Sequence, residues 1–227
     1  MGAAKRRCGG LLLGRDDINP DKPDNDGRTP LNSAARAGHA GVVEILLGRS
    51  DINPDKPDNS GQTPLNGAAE NGYARVVEIL LGRNDVNPNK PDNYGQTPLG
   101  WAVYNFHEGV AEALLRRDDI NPNNTDAEDE TPLFWAAFHG YEGVVKVLLG
   151  RNDINPDKPG FGGRTPLSCA AGHGHVGVVE MLLGRGDVNP DKPDNSGQTP
   201  LWWAARNGHT RVIALLQPLS AAAHSTG

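Results

Sequence analysis

Apolar residues recur along the chain in two alternating patterns, separated by polar segments rich in turn formers. In one first-pattern segment, Leu65, Ala68 and Ala69 fall at positions i, i+3 and i+4, which is the spacing of one helix face. A second apolar run, Val76 to Leu81, also suits a helix and ends before Gly82, a residue that favours a helix end. The loops between these pairs contain mainly Asn, Pro, Asp and Gly, which favour turns. The pattern therefore predicts helix, short turn, helix and long loop, repeated along the chain.

The triplet Thr-Pro-Leu opens each first helix. Its six copies begin 34 residues apart, at Thr29, Thr63, Thr97, Thr131, Thr165 and Thr199. A threonine hydroxyl can cap a helix, and proline suits the first helical position because no N–H is needed there. A strict period of this length is typical of an all-α solenoid of stacked units, in which each unit buries its helices against its neighbours.

The period divides the chain into three parts. Residues 1–28 form a truncated N-terminal half-repeat and its loop, because Cys8 to Gly14 aligns with the end of a second helix. Residues 29–217 hold the six repeats. Residues 218–227 are expected to be a disordered tail, since Pro218 should end the last helix. Neither end has the polar cap that a solenoid needs, so we expect a piece of a longer array.

Composition narrows the classes of partner. The formal net charge of -6 disfavours nonspecific binding to nucleic acid or to an anionic membrane. The two cysteines, Cys8 and Cys169, give no disulfide framework, which suits a reducing compartment. The apolar run Leu11–Leu13 is too short for a signal peptide or a membrane span. We therefore predict a cytoplasmic monomer without nucleic-acid or membrane partners. The basic cluster at residues 5–7 leaves a nuclear location as the alternative.

Several short motifs recur in one order along the six repeats, with single substitutions in some copies. They are Gly-x-Thr-Pro-Leu (Gly61 to Leu65), Ala-Ala (Ala68-Ala69), Gly-His (Gly38-His39), Val-Val-x-x-Leu-Leu (Val42 to Leu47) and Asp-Ile-Asn (Asp51 to Asn53). This order resembles the ankyrin repeat over nearly the whole chain. The resemblance implies antiparallel helix pairs with loops that project as a row of β-hairpin fingers. It also implies a protein-binding surface along the first helices and fingers.

The chain departs from the ankyrin pattern at three points. The family period is about 33 residues, whereas here the loop is longer. The family usually has His after Thr-Pro-Leu, and here the position carries Asn32, Asn66, Gly100, Phe134, Ser168 and Trp202. The loop sequence Asn-Pro-Asp-Lys-Pro-Asp-Asn is nearly identical between copies. In this near-identity the chain resembles the repeat arrays of fungal NOD-like immune receptors. That resemblance implies the recognition part of a larger receptor or adaptor.

The third repeat is irregular. Phe106 replaces the glycine that ends the first helix, and Asp129 replaces the glycine of the following loop. That loop, Asn123 to Glu130, is acidic and lacks the second proline of the other loops. We expect a local bend or a mobile finger here, with sequence degeneration as the alternative.

Differences between copies indicate where a partner would bind. They concentrate at the finger tips and on two first-helix positions three residues apart, which share a helix face. Several of the variable residues are aromatic or arginine, the types enriched in interface hot spots. The predicted binding patch is Tyr94, Trp101, Tyr104, Trp135, Phe138, Phe161, Trp203 and Arg206.

The aromatic residues have a second interpretation, in which they only fill space between repeats. For Phe134 and Trp202, at the family's histidine position, we predict packing. For Trp101 and Trp135 we predict binding, with packing as the alternative. The function hypothesis is a protein-protein interaction module. The alternative is a structural spacer without a dedicated partner.

No catalytic constellation is readable, so we predict a protein that is not an enzyme and uses no cofactor. Histidines that recur at the helix turn, such as His107 and His175, are interpreted as structural. His139, Cys169 and His173 could form a weak zinc site, but chance placement is the better interpretation of these three residues. The stretch Asp21 to Gly27 faintly resembles a calcium loop, but it lacks the closing acidic ligand and is interpreted as a turn.

The loops also carry two rows of charge. One row is Lys22, Lys56, Lys90, Lys158 and Lys192, and the other is Asp24, Asp58, Asp92 and Asp194. We expect cross-pairing between the rows to hold the fingers in register. Exposed pairs of this kind contribute little, about 0–1 kcal/mol each.

Overall fold

The chain folds as successive pairs of α-helices joined by long loops. This computed structural model describes residues 19–224, with side chains up to residue 217. It divides into two units, Met1–Ile120 and Asn121–Gly227. The half-repeat predicted at Cys8 to Gly14 lies outside the described residues. Twelve α-helices make up the regular structure of the part described, which confirms the all-α repeat fold.

Each unit stacks three repeats in sequence. The first unit contains α1 Pro30–Arg36, α2 Ala40–Leu47, α3 Pro64–Glu70, α4 Ala74–Leu81, α5 Pro98–Tyr104 and α6 Glu108–Leu115. The second contains α7 Pro132–His139, α8 Glu142–Leu149, α9 Pro166–His173, α10 Val176–Leu183, α11 Pro200–Arg206 and α12 Thr210–His224. Within a unit, first helices pack on first helices and second helices on second helices, as α1 does on α3 and α2 on α4.

The Thr-Pro-Leu triplet forms the predicted helix start. Thr29 has extended backbone angles and its hydroxyl accepts a hydrogen bond from the N–H of Asn32 (3.2 Å). Asn32 returns the bond by accepting from the N–H of Thr29 (2.9 Å), which completes a capping box. The Asn32 amide also donates to the carbonyls of Lys56 and Gln62 in the next loop (3.1 and 3.2 Å). Asparagine at the family's histidine position therefore ties the helix start to the following loop.

The core repeats with the triplet. Leu31, Leu65 and Leu99 are fully buried, and so are Ala68, Ala69, Val43 and Val77. Burying a leucine side chain contributes about 1.5–3 kcal/mol. Gly72 ends α3 with φ +76, and a side chain there would collide with the His107 ring. His107 Nε2 lies 3.1 Å from the Glu70 carbonyl, which confirms the structural role of the helix-turn histidine.

The loops are turns closed by a side chain. The Asp58 N–H donates to the Gln62 carbonyl (2.9 Å), and the Asp58 carboxylate accepts from the N–H groups of Ser60 and Gln62 (2.9 and 3.0 Å). Pro57 has no N–H to donate to a strand ladder. No β-strand occurs in residues 19–224, so the predicted β-hairpin fingers are corrected to these turns.

Hydrogen bonds to the preceding loop join the loops within a unit. The Asn59 N–H donates to the Asp26 carbonyl (3.0 Å), and Lys56 Nζ donates to the Asp21 carbonyl (2.8 Å). Lys90, Lys158 and Lys192 make the same lysine bond. The predicted Lys–Asp cross-pairing is therefore wrong, because these ammonium groups reach backbone carbonyls while the Asp carboxylates accept N–H donors.

The acidic loop keeps the regular turn. The Asp126 N–H donates to the Glu130 carbonyl (3.1 Å), and the Asp126 carboxylate accepts from the N–H groups of Glu128 and Glu130 (3.0 Å each). Asp129 takes a positive φ of 64, as the replaced glycine would. The expected bend is thus absent from this turn, because the first aspartate still supplies both acceptor bonds.

The last helix continues past the proline expected to end it. The backbone of α12 is helical from Thr210 to His224, through Pro218. A proline removes one N–H donor, but its fixed φ near −65° is compatible with a helix. The predicted end at Pro218 is therefore wrong for the backbone up to His224.

Candidate interaction surface

The first unit presents an aromatic pair on α5. Trp101 and Tyr104 meet edge to face with their ring centroids 6.2 Å apart. The Trp101 indole N–H donates to the Asp92 carboxylate (2.8 Å), which fastens the helix to the preceding loop. Tyr104 is 46% exposed and Tyr94, at the tip of that loop, is 64% exposed. Trp101 is thus a half-buried support beside two exposed tyrosines.

A polar surface occupies the equivalent place on α1 and α3. Arg36 pairs with Glu70 (2.7 Å) and also donates to the Gln62 side chain. Gly67 stands where Trp101 stands in the next repeat, and the Arg36 side chain packs against it. This network was not predicted, although the opposite charges at Arg36 and Glu70 were a readable signal.

The second unit carries a larger aromatic cluster on α7 and α9. Trp135 lies 5.9 Å from Phe138 and stacks on His139 at 5.8 Å. The Phe138 ring lies 4.4 Å from the His173 ring. As in the first unit, the indole N–H of Trp135 donates to the loop aspartate Asp126 (2.9 Å). The cluster therefore extends from one repeat to the next within this unit.

Two arginines lie beside Trp203 of α11. The Arg164 guanidinium lies 3.5 Å from the Trp203 ring centroid, and that of Arg206 lies 5.7 Å away on the same ring. Arg206 also lies 5.0 Å from the Trp202 ring. The Trp203 indole N–H donates to the Asp194 carboxylate (3.0 Å). The sequence did not predict Arg164 as part of this surface. The only indication was that three other loops have Gln at the equivalent position.

Phe134 and Trp202 differ although they occupy equivalent positions. Phe134 is buried, which confirms its predicted packing role. Trp202 is 38% exposed, so packing is wrong for it. The loop after the second helix of a repeat covers this position in α1 and α3, and no such loop follows α12 within the described residues.

One loop of the second unit exposes a phenylalanine. Phe161 begins a short 3-10 helix, Phe161–Gly163, and is 78% exposed. Its N–H donates to the carboxylate of Glu130 (2.9 Å), which is buried. Gly160, at a position that is aspartate in most loops, leaves room for this carboxylate, since a Cβ there would overlap Glu130.

The electrostatics of this unit follow from burial. Burial raises the pKa of Glu130 to about 7, with the charges of Asp126, Glu128 and Asp129 adding to the rise and the Phe161 N–H opposing it. Burial also lowers the pKa of His139.

The residues of the weak zinc set are occupied by other contacts. Burial raises the pKa of the Cys169 thiol to about 12. His173 Nδ1 donates to the Cys169 carbonyl (2.9 Å). No group of three or more His, Cys, Asp or Glu side chains with metal-binding geometry occurs in the described part of the chain. The Asp21–Gly27 segment is a turn, as predicted, in which the Asp24 carboxylate accepts from the N–H groups of Asp26 and Arg28 (2.9 Å each).

The eight predicted binding residues fall into two groups. Tyr94, Trp101 and Tyr104 belong to the first unit, and the others belong to the second. Each tryptophan is half-buried and bonded to a loop aspartate, whereas the tyrosines, Phe161 and Arg206 are exposed. Each group offers aromatic faces and hydrogen-bond donors. Among the described helices, none combines the length and apolar character needed to cross a membrane.

Comparisons with solved structures agree with this architecture. The chain is similar to the ankyrin repeat protein EF0377, with 25% identity, a TM-score of 0.77, and coverage of 82% of this chain and 96% of that one. It is similar to the ankyrin repeat domain of Bcl-3, a member of the IkappaB protein family, with 25% identity, a TM-score of 0.80, and coverage of 95% and 92%. A chain in the complex of the Bdellovibrio bacteriovorus predatory endopeptidase Bd0816 with the immunity protein Bd3460 gives 28% identity, a TM-score of 0.73, and coverage of 87% and 99%.

Family membership follows from the sequence itself. No curated protein matches the chain. The family model "Ankyrin repeats (3 copies)" matches residues 1–92, 83–160 and 151–225, which together span almost all of it. With its capped helix pairs and closed loops, this chain belongs to the ankyrin repeat family, whose members are protein-protein interaction modules.

Proposed function

We propose that this chain binds a protein partner through the first helices and loop tips of its repeats. The observation that carries the proposal is the set of exposed aromatic side chains, Tyr94, Tyr104 and Phe161, on a surface whose backbone is otherwise nearly uniform from repeat to repeat. Exposed aromatics of this kind are typical of binding hot spots. The tryptophans act as rigid supports, because their indole N–H groups are already bonded to loop aspartates.

The setting of the module is part of the proposal. Its loop sequence resembles that of the repeat arrays of fungal NOD-like receptors. We therefore propose that the module is the recognition part of a larger receptor or adaptor. We further propose that it is a monomer in the cytoplasm. The EF0377, Bcl-3 and immunity-protein complex structures support an interaction role in general terms. Sequencing the flanking coding region tests this setting, since a receptor should encode a nucleotide-binding domain next to the repeats.

A test of the surface can borrow residues from other repeats, so that the fold is retained. Tyr94→Ser takes the residue of Ser60, Tyr104→Glu that of Glu70, and Phe138→Arg that of Arg36. Affinity capture from a lysate of the source cells should retain a protein on the original chain and lose roughly tenfold or more of it on the triple variant. Circular dichroism should give the same helical content for both.

The matched control is Arg75→Ala, on the exposed outer face of α4. It should capture the partner as the original chain does. Equal capture by the triple variant would show that the partner does not use this surface. The alternative function is a structural spacer. It is consistent with the indole–aspartate bonds, in which the tryptophan donors are used within the chain. It predicts that neither the original chain nor any variant retains a protein.

A further inference from the structure

Two arginines at equivalent loop positions make different contacts. Arg28 and Arg164 each precede the capping threonine of a repeat. Nε of Arg28 lies 3.6 Å from the Asp58 carboxylate of the next loop. In that repeat the helix position facing the loop is Gly67, which leaves the carboxylate open to the arginine. An arginine at this position can therefore pair with the aspartate one repeat later.

Trp203 prevents Arg164 from forming the equivalent ion pair with an aspartate. The indole N–H of Trp203 occupies the Asp194 carboxylate (3.0 Å), and the Arg164 guanidinium lies over the indole face instead (3.5 Å). A cation over the face of tryptophan is attracted by the ring quadrupole. Stacking uses the flat face of the guanidinium and leaves the N–H donors at its edge directed away from the ring.

Arg206 adds a second guanidinium beside the same indole. Neither Arg164 nor Arg206 forms an ion pair within the described residues. Of the ten other described arginines, all but Arg211 do so: Arg28, Arg36, Arg49, Arg75, Arg83, Arg116, Arg117, Arg151 and Arg185. In a chain with a formal net charge of -6, two guanidinium groups beside one indole and outside any ion pair concentrate positive charge locally, and the Asp194 carboxylate near Arg164 is bonded to that indole.

The arginines continue into the apolar cluster of the same unit. The Trp203 side chain packs 3.5 Å from the place where a Cβ on Gly172 would lie. The next residue is His173, whose ring contacts Phe138 at 4.4 Å. A surface from Phe138 to Arg206 thus offers aromatic faces at one end and guanidinium donors at the other.

We propose that this surface, defined by Phe138, His173, Arg164, Trp203 and Arg206, binds an acidic peptide segment of a protein partner. The carboxylates of the peptide would pair with Arg164 and Arg206. A guanidinium can donate two parallel N–H bonds to the two oxygens of one carboxylate. An apolar side chain of the segment would lie on Phe138 and His173. The inference deepens the proposed interaction function and rests on it.

The experiment selects short random peptides, displayed on phage, against the purified full chain. Peptides enriched on the original chain should be rich in Asp and Glu. The best of them, made synthetically and labelled with a fluorophore, should lose roughly tenfold or more in affinity for Arg164→Gln and for Arg206→Glu. Both variants introduce residues that other repeats carry at those positions, as in Gln62 and Glu70. Arg75→Gln serves as the control and should bind as the original chain does.

Four outcomes count against the inference. Enriched peptides that are neutral or basic, and that compete for Phe138, would refute an acidic partner while leaving the interaction function standing. Acidic peptides that bind both arginine variants as tightly as the original chain would refute this surface. A random-sequence RNA that binds more tightly than any selected peptide would assign the arginines to nucleic acid. Selection of no peptide at all would count against the interaction function itself as well as this inference.

Discussion

The loop from Asp58 to Gln62 and the loop from Asp126 to Glu130 form the same turn from different residues. In both, the first aspartate accepts two backbone N–H bonds and closes the turn. The regular loop has glycine at its positive-φ position and a neutral glutamine at its end. The acidic loop has Asp129 with φ 64 and a buried Glu130. The comparison teaches that a loop with this aspartate keeps its turn, while the other substitutions alter strain and pH response.

The largest effect should come from removing the first aspartate. Asp58→Ala should lower the free energy of unfolding by about 2–3 kcal/mol, because a buried charged acceptor of three donors is lost. Urea denaturation followed by circular dichroism measures the change. Asp24→Ala is the matched control, since Asp24 is exposed and should cost much less. Equal losses would mean that burial of the aspartate does not matter to the turn.

An intermediate effect should come from Glu130→Gln, which gives the acidic loop the residue of the regular one. The folded-state pKa of Glu130, about 7, lies above the ordinary value of 4.5. The folded state therefore binds more protons than the unfolded state between these values, and stability falls as pH rises through this window. Above pH 7 the variant should be more stable by about 1–3 kcal/mol, and near pH 4 the difference should vanish.

Unfolding curves measured at several pH values between 4 and 8 test this slope. Glu128→Gln is the control, because Glu128 is exposed and should leave most of the slope in place. A Glu130→Gln variant with the original pH dependence would assign the titration to another group.

The smallest effect should come from the positive-φ position. Asp129→Gly should stabilise the chain by about 0.5–1 kcal/mol, because glycine adopts a left-handed backbone without strain. The reverse change, Gly197→Asp, should cost a similar amount, since φ there is +75 and no atom lies within 4 Å of an added Cβ. Thermal unfolding of both variants checks the pair. Stabilisation by Gly197→Asp would contradict the strain argument.

The sequence predicted the helices and their starts because the 34-residue period repeats both the caps and the apolar stripe. Thr29, for example, caps its helix as the equivalent threonine does in every repeat, and Leu31 is buried as its equivalents are in the next four repeats. The period also located the variable first-helix positions that carry the predicted aromatic residues. These features depend on residues close together in sequence, so periodicity was enough.

The contacts that the sequence did not predict join residues of different repeats. Glu130 enters the space left by Gly160, and each substitution taken alone looks like loss of a consensus residue. Arg164 gives no local indication of whether it will pair with a carboxylate or stack on an indole, because Trp203 in the next repeat decides this. Only the register of the stacked repeats brings such pairs together.

The lysine bonds between loops have a consequence for ionic strength. Lys56 and Lys90 donate to backbone carbonyls, which carry no net charge for dissolved ions to screen. A complex of Arg164 and Arg206 with carboxylates would instead depend on full charges. Raising salt from 0.1 M to 1 M shortens the Debye length from about 10 Å to about 3 Å. A salt gradient should therefore release an acidic ligand from the immobilised chain while the repeats that held it stay folded.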